Sequence, residues 1–143
     1  MAEQDYFPRV QEIILPLLRA GLPDNVHVSS WIPDIDYREY PIVNVRRLGG
    51  YRGRDLPSQL DKPVVEITAY HTDGIEATEE LYARVLDVLF EATRKQTVVD
   101  RGYISFMRET LGMTQFSSLF QDTWRIQGLI QIGIRPVRKD SDV

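Results

Sequence analysis

One stretch, Val64 to Lys95, constrains the fold most strongly, because it predicts a strand that leads directly into a long helix. Side chains in its first part alternate with the two-residue period of a strand that has one core face. The core-facing set is Val65, Ile67 and Ala69, and the more polar set is Glu66, Thr68 and Tyr70. Apolar side chains then recur at helical spacing, at Leu81, Val85, Val88, Leu89 and Ala92. The rest of the chain must pack against this unit.

The ends of the predicted helix carry the residues that helix termini favour. Asp73 is in position to act as N-cap, and Glu76, three residues later, is in position to complete a capping box. Arg94 and Lys95 lie at the other end, where positive charge suits the helix dipole. These features predict that the helix begins after Asp73 and ends near Lys95.

Length and composition indicate one soluble globular domain. The chain has 143 residues, of which 43% are hydrophobic and 27% are charged, and this is enough to bury a core. It has no cysteine, which excludes disulfides and thiolate metal sites. No apolar run is long enough to cross a membrane, and the N-terminus lacks the pattern of a signal peptide, so we expect synthesis in the cytoplasm. The net charge of −4 argues against general nucleic-acid binding.

Further elements can be predicted on either side of the central unit. Residues 5–20 predict a first helix with Asp5 as cap, Pro8 in its first turn and a kink or a division into two short helices at Pro16. We expect that helix to end at Gly21 and Pro23. Alternation predicts strands at residues 26–32, 42–48 and 103–113. The last strand, from Trp124 to Pro136, has a clear apolar face, formed by Trp124, Ile126, Ile130, Ile132 and Ile134. In residues 103–113 the inward pair is either Ile104 with Phe106 or Tyr103 with Met107.

The segments between these elements predict loops. Residues 49–63 contain three glycines and two prolines, and we expect them to form the flexible tip of a long hairpin that spans residues 42–72. Residues 114–121 predict a loop with exposed Phe116 and Phe120, and we expect the charged tail, residues 138–143, to be frayed. The predicted fold class is therefore α+β: a single, mostly antiparallel sheet of about five strands with two helices packed on one face.

No residue pattern in the sequence indicates an enzyme. His71 lies near Asp73 and Glu76, but neither it nor His27 has a second ligand of matching type in its own element, so we interpret both as structural or surface residues. The sequence contains neither a nucleophile elbow nor a phosphate-binding loop. We therefore predict no catalytic residue, no cofactor and no bound metal.

Two charged groups are candidates for interaction. The basic cluster comprises four arginines with one interleaved tyrosine: Arg46, Arg47, Tyr51, Arg52 and Arg54. Such a cluster can bind single-stranded nucleic acid or an acidic protein, or it can simply be solvated. The second group lies on the central helix, opposite its apolar stripe: Glu76, Glu80, Asp87 and Glu91. It is either a solvated face or a contact between subunits, and we hypothesise that the basic loop of one copy meets the acidic helix of another.

The pattern of the chain resembles the tail terminator proteins of long-tailed bacteriophages. The resemblance covers nearly the whole chain, and it is strongest at residues 62–89, KPVVEITAYHTDGIEATEELYARVLDVL, followed by the final strand WRIQGLIQIGIRP. The size, the lack of cysteine and the lack of a catalytic motif also fit. The resemblance implies a single tail-terminator-like domain over residues 1–143, with a flexible loop at residues 49–62.

The resemblance also implies a function and partners. Such a protein is a structural component of the virion tail or neck. It forms a ring, usually of six copies, that caps the tail tube, ends the polymerisation of the tube protein and offers a surface to the head connector or stopper protein. The loop from Gly49 to Lys62 would reach toward the tube, the lumen or a neighbour, and its arginines would face DNA in the channel or acidic residues of the next subunit. No membrane partner is implied.

Two alternatives remain open on the sequence. Another virion protein, either a head-completion or stopper protein of the neck or a tail tube protein, would share this size and α+β character. A small hydrolase is the remote alternative, and it requires His71 or a carboxylate to lie in a deep pocket with a perturbed pKa.

Overall fold

The computed structural model of the chain describes residues 6–32, 38–117 and 122–137. Its elements follow in the order α1 (Val10–Gly21), β1 (His27–Ser29), β2 (Ile42–Arg52), β3 (Asp61–His71), α2 (Ile75–Lys95), β4 (Gly102–Phe116) and β5 (Trp124–Pro136). The strands form one sheet in the order β1-β2-β3-β5-β4. The β1–β2 pair is parallel, and the other three pairs are antiparallel. The predicted α+β fold is confirmed.

Both helices pack on one face of the sheet, the inner face, and share a single hydrophobic core with it. The alternation predicted for β3 is confirmed, because Val65, Ile67 and Ala69 are all fully buried. The apolar side of β5 adds a second buried row: Ile126, Ile130, Ile132 and Ile134. Removal of these apolar surfaces from water, at about 25 cal/mol per Å², is the main stabilisation of the two-layer arrangement. The opposite face of the sheet is the outer face.

The N-terminus of α2 differs from the prediction. Asp73 is not the N-cap, since Gly74 occupies that position with a φ of 112° and no side chain caps the helix. Glycine adopts this backbone conformation at little cost, so the chain turns one residue later than an Asp cap would require. The Thr78 hydroxyl donates to the Gly74 carbonyl at 2.7 Å, and the Asp73 N–H donates to Nδ1 of His71 at 3.2 Å.

The first helix is shorter than predicted and is continuous. It begins at Val10, where the Glu12 carboxylate accepts a hydrogen bond from the Arg9 N–H at 2.9 Å, while Asp5 lies outside the described residues. Pro16 lies within the helix, and the expected division into two short helices is wrong. Gly21 is the last helical residue, in agreement with the prediction.

The hairpin of β2 and β3 is confirmed, but its strands extend further than predicted. The first strand continues through Gly49 and Gly50 to Arg52, so the connection is shortened to residues 53–60. Both glycines have a positive φ, and a bulge between Arg47 and Gly50 accommodates them within the ladder. A side chain at Gly50 would overlap the Lys62 carbonyl, so the close pairing of the two strands at this position requires glycine. The flexibility of the loop stays a prediction.

The two edge strands also differ from their predicted lengths. β4 extends to Phe116 and takes in the first residues of the predicted loop, whereas Phe120 and residues 138–143 lie outside the described residues. A bulge between Ile104 and Phe106 shifts the alternation, so Ile104 and Met107 both face the core and neither predicted inward pair is right. β1 is limited to His27–Ser29, because the Ser29 hydroxyl bonds to the Trp31 carbonyl and the chain bends away.

Candidate interaction surface

The structure divides the predicted basic cluster between the two faces of the sheet. Arg46 and Arg47 are adjacent in β2, and adjacent strand residues point to opposite faces. Arg46 pairs across the ladder with Glu66 on the outer face, and their side chains form an ion pair of 3.1 Å. Arg47 lies opposite Val65 on the inner face. The closeness of the four arginines in sequence had suggested a single patch. The structure shows that they do not form one.

Two of the predicted arginines are occupied within the chain. Arg47 binds both carboxylate oxygens of Asp61, at 2.6 and 3.1 Å, and donates to the Gly49 carbonyl at 2.9 Å. Asp61 is only 2% exposed, so this bidentate pair fixes the hairpin where the two strands bulge. Arg52 donates to the Pro57 carbonyl at 2.7 Å, and its guanidinium lies 4.3 Å from the centre of the Phe7 ring. These contacts give both side chains structural roles in the hairpin.

The other members of the predicted cluster remain available. Tyr51 is 77% exposed and lies on the outer face, opposite Lys62. Arg54 is exposed in the hairpin connection, and it forms no hydrogen bond or ion pair with any described residue. Arg46 keeps most of its surface in solvent despite its pair with Glu66.

A larger basic surface lies on the outer face, and sequence reasoning missed it. Ladder partners in an antiparallel sheet share a face. The pairs Arg46–Glu66, Tyr51–Lys62, Arg108–Gln131, Phe116–Arg125 and Tyr103–Arg135 therefore place basic side chains from four strands together. We call this surface the basic sheet face and define it by its five cations: Arg46, Lys62, Arg108, Arg125 and Arg135. Glu66 is the one acid among these outward ladder residues.

Hydrogen bonds hold the basic sheet face in a fixed arrangement. Glu66 accepts from Arg46 and also from the Gln127 amide at 3.2 Å, while Arg125 donates to the Gln127 oxygen at 2.6 Å. Arg108 donates twice to the Gln131 oxygen, at 2.7 and 3.1 Å. A cation fixed in this way loses less side-chain entropy when it binds an anion.

Apolar and aromatic groups are interleaved with these cations. The Arg125 guanidinium lies 5.2 Å from the centre of the Phe116 ring. Leu111 pairs with Leu129 on the outer face and is 42% exposed. In the described part of the chain, both helices belong to the core on the inner face, and neither covers this region. The described residues therefore leave the basic sheet face open, and it has the mixed character of a protein contact.

The predicted acidic face lies on the exposed side of α2, away from the core. Its four carboxylates, Glu76, Glu80, Asp87 and Glu91, are all exposed. Glu91 accepts hydrogen bonds from Arg94 and also contacts Lys95, and these bonds lower its pKa to about 2. The first three carboxylates form no ion pair with any described residue. The chain does not join this acidic surface to the predicted basic cluster.

The family of the protein follows from comparison with known sequences. Residues 6–141 match the model of a family described as phage tail termination protein. A protein named Gene 22 protein, from Mycobacterium phage D29, is 49% identical over 136 residues, which cover 92% of this chain and 95% of that protein. The Gene 22 protein of Mycobacterium phage L5 is 49% identical over 132 residues, with the same coverage.

This chain belongs to the phage tail termination protein family. The resemblance seen in the sequence is confirmed, and the protein is a structural component of the phage tail. The match spans both surfaces, from Arg46 in β2 to Arg135 in β5, together with the whole of α2. Both surfaces therefore lie within the part of the chain that the family model matches.

The histidines of this tail termination protein have local partners. His71 is a half-buried side chain, with Nε2 3.9 Å from a carboxylate oxygen of Asp73. His27 contacts Glu39 at 3.3 Å in a shallow cleft that Trp31 also lines. No group of three potential metal ligands occurs within residues 6–32, 38–117 and 122–137. Neither helix of the described chain is long and apolar enough to span a membrane.

Proposed function

We propose that this tail termination protein closes into a ring, of about six copies, on the end of the phage tail tube. There it stops the addition of further tube subunits and offers a surface on which the head connector docks. The observation that carries the proposal is the separation of charge within a member of this family. A fixed basic surface lies on one side of the two-layer domain, and the other side carries four carboxylates, three of which pair with no described residue. Surfaces of this kind serve contact between subunits, and contact is what a closed ring requires.

We further infer that the protein acts without bond chemistry. A catalytic site needs titratable groups that converge in a cavity and perturb one another. His71 and Asp73 lie at a strand end beside solvent-exposed residues, and His27 contacts Glu39 in a cleft that Arg19 also lines. Binding and geometry are sufficient for the proposed task, since capping a tube requires only a surface that matches it. The hydrolase alternative gains no support from this arrangement.

The hairpin connection is the part we propose for contact with the tube. Residues 53–60 join β2 to β3, and Arg54 is exposed there without a partner among the described residues. The Arg47–Asp61 pair and the contact of Arg52 with Phe7 hold the strand ends that flank this connection. A connection with anchored ends and an exposed cation suits contact with a neighbouring virion protein or with the DNA in the channel.

Light scattering on the purified protein, combined with sedimentation against assembled tail tubes, tests the proposal. We expect a mass near six times the 16.6 kDa of the chain, either free in solution or on addition of tubes, and binding at tube ends. Binding along the tube wall or incorporation into the tube would favour a tube protein. Binding to the head connector without any affinity for tubes would favour a neck protein. A monomer that binds neither assembly would overturn the proposal.

A further inference from the structure

We propose that the basic sheet face of one copy binds the acidic outer face of α2 on the next copy. This inference rests on the proposed function and specifies the contact by which the ring closes. It also replaces the sequence-based hypothesis, in which the hairpin arginines meet that helix. Arg47 and Arg52 are already bound within the chain, whereas the cations of the sheet face point outward together.

The two surfaces carry opposite charge. The basic sheet face presents five cations and one acid, which is itself bonded to Arg46 and Gln127. The exposed side of α2 presents Glu76, Glu80 and Asp87, none of which is paired with a described residue, together with Arg84 and the Glu91–Arg94 pair. Each surface thus carries an excess of charge that the described residues leave unmatched, positive on the sheet and negative on the helix. Complementary surfaces of this kind favour one docking register and suppress others.

Exposed apolar side chains also lie on both surfaces. Phe90 is 41% exposed on the outer side of α2, close to Asp87 and Glu91. Leu111 is 42% exposed on the outer face of the sheet, and the Phe116 ring lies beneath Arg125. An apolar group surrounded by charges is the usual arrangement of a contact whose centre excludes water and whose rim is polar.

The dimensions of the two surfaces also agree. The four strands from β2 to β4 span about 14 Å at roughly 4.8 Å between neighbours, which is wide enough for one helix about 10 Å across. α2 has 21 residues and is about 31 Å long, at 1.5 Å per residue. β5 has 13 residues and is about 43 Å long. One helix therefore fits on the outer face, where it would supply the missing third layer.

The positions of the two surfaces determine the type of contact between copies. The basic sheet face and the acidic helix face lie on opposite sides of the two-layer domain, because α2 packs between its own sheet and solvent. A contact between two different surfaces is heterologous: each copy uses its sheet on one neighbour and its helix on the other. Such a contact generates a closed ring when its rotation closes and an open filament when it does not, and the proposed function requires the first.

A cross-linking experiment tests the contact directly, because the chain contains no cysteine. Leu111→Cys places a thiol on the outer face of the sheet, and Ala83→Cys places one on the exposed side of α2. The double variant, treated with a bismaleimide about 10 Å long, is expected to form a ladder of covalent multimers. Each single variant is the matched control and is expected to stay uncoupled. Rings that form in the double variant without a ladder would overturn the proposed contact and leave the proposed function intact.

Charge reversal supplies an independent readout. Arg108→Glu and Glu80→Arg are each expected to raise the protein concentration needed for assembly roughly tenfold, and their combination is expected to restore it. Asp24→Arg makes the same change of charge as Glu80→Arg in the turn between α1 and β1, away from both surfaces, and it should leave assembly unchanged. An equal loss with Asp24→Arg would overturn the assignment of the surfaces. So would an Arg108→Glu variant that assembles normally but loses binding to double-stranded DNA at low salt, since the face would then contact phosphates.

If the wild-type protein forms no oligomer either alone or on tubes, the proposed function fails, and the contact fails with it. If the wild-type protein forms rings that neither the cross-linker nor the charge variants affect, the contact alone fails.

Discussion

The phenolic oxygen of Tyr82 lies directly against the backbone of Gly128, so that the centre of α2 contacts β5 on the inner face of the sheet. Tyr82 is fully buried, and a Cβ at Gly128 would overlap its hydroxyl group. This hydroxyl has no hydrogen-bond partner among the described residues. The contact fixes the distance between α2 and β5, on which the position of the acidic helix face depends.

The Tyr82–Gly128 contact predicts a strong effect of one added methyl group. Gly128→Ala is expected to lower the free energy of unfolding by about 1–3 kcal/mol, because the new Cβ overlaps a packed side chain. Tyr82→Phe removes the overlapping oxygen, and in the double variant it should recover part of that loss. Urea denaturation of the two single variants and the double variant measures the coupling. A Gly128→Ala variant as stable as the wild type would show that the contact is looser than described.

The same tyrosine predicts a change in stability at high pH. Burial raises the pKa of Tyr82 from 10.0 to about 12, and the nearby Glu109 carboxylate adds to the shift. The folded state thus holds the phenolic proton more tightly than the unfolded state does. Its contribution to stability is complete below pH 10 and is lost as the pH rises from 10 to about 12. Denaturation midpoints across this range should fall more steeply for the wild type than for Tyr82→Phe, and equal slopes would contradict the assignment.

The hairpin offers a matched pair of glycine substitutions. Gly49 and Gly50 both have a positive φ, near 100°, so alanine at either position carries a similar conformational cost of about 1–2 kcal/mol. Only at Gly50 would the new Cβ also meet backbone atoms, those of Lys62 and Pro63, whereas no atom lies within 4 Å at Gly49. Gly50→Ala should therefore destabilise the protein clearly more than Gly49→Ala in thermal denaturation. The reverse order would mean that the bulge lies elsewhere.

The Arg47–Asp61 pair, in which only Asp61 is buried, predicts a clear cost for the removal of the carboxylate. Asp61→Ala leaves the Arg47 guanidinium without its bidentate partner, and we expect a loss of about 2 kcal/mol of stability. The exposed pair of Glu91 with Arg94 provides the control, since Glu91→Ala should change the denaturation midpoint little. Similar midpoints for the two variants would show that the hairpin does not depend on the Arg47–Asp61 pair.

Local patterns in the sequence predict the elements of this fold well. The alternation in β3 and β5 and the helical period of α2 correctly indicate most of the residues that enter the core, since burial repeats with the geometry of each element. Trp124 is an exception: it was predicted on the apolar face of β5 but is 37% exposed at the start of the strand. The errors arise where backbone geometry outweighs side-chain preference. Gly74, which has a positive φ, is the N-cap of α2 in place of the predicted Asp73. Gly49 and Gly50 lie within β2, although glycines usually interrupt strands.

The interaction surface could be predicted only in part. Arg125 and Arg135 fall on the polar side of the last strand by alternation alone, and Arg46 must point away from Arg47 for the same reason. Their neighbours depend on the strand order, in which β5 lies between β3 and β4. Pairing between strands so distant in sequence leaves no local pattern. The placement of Arg108 and Arg125 on the same face of the sheet was therefore not predictable from this sequence.

The length of tail tubes assembled with and without this protein tests the central claim most directly. Purified tube protein is polymerised with the wild-type chain, with Arg108→Glu or alone, and tube lengths are measured by negative-stain electron microscopy. We predict that the wild-type protein shortens the tubes and is found at one tube end, and that Arg108→Glu requires a higher concentration for the same effect. Tubes that grow to the same length in the presence of wild-type protein would contradict the account.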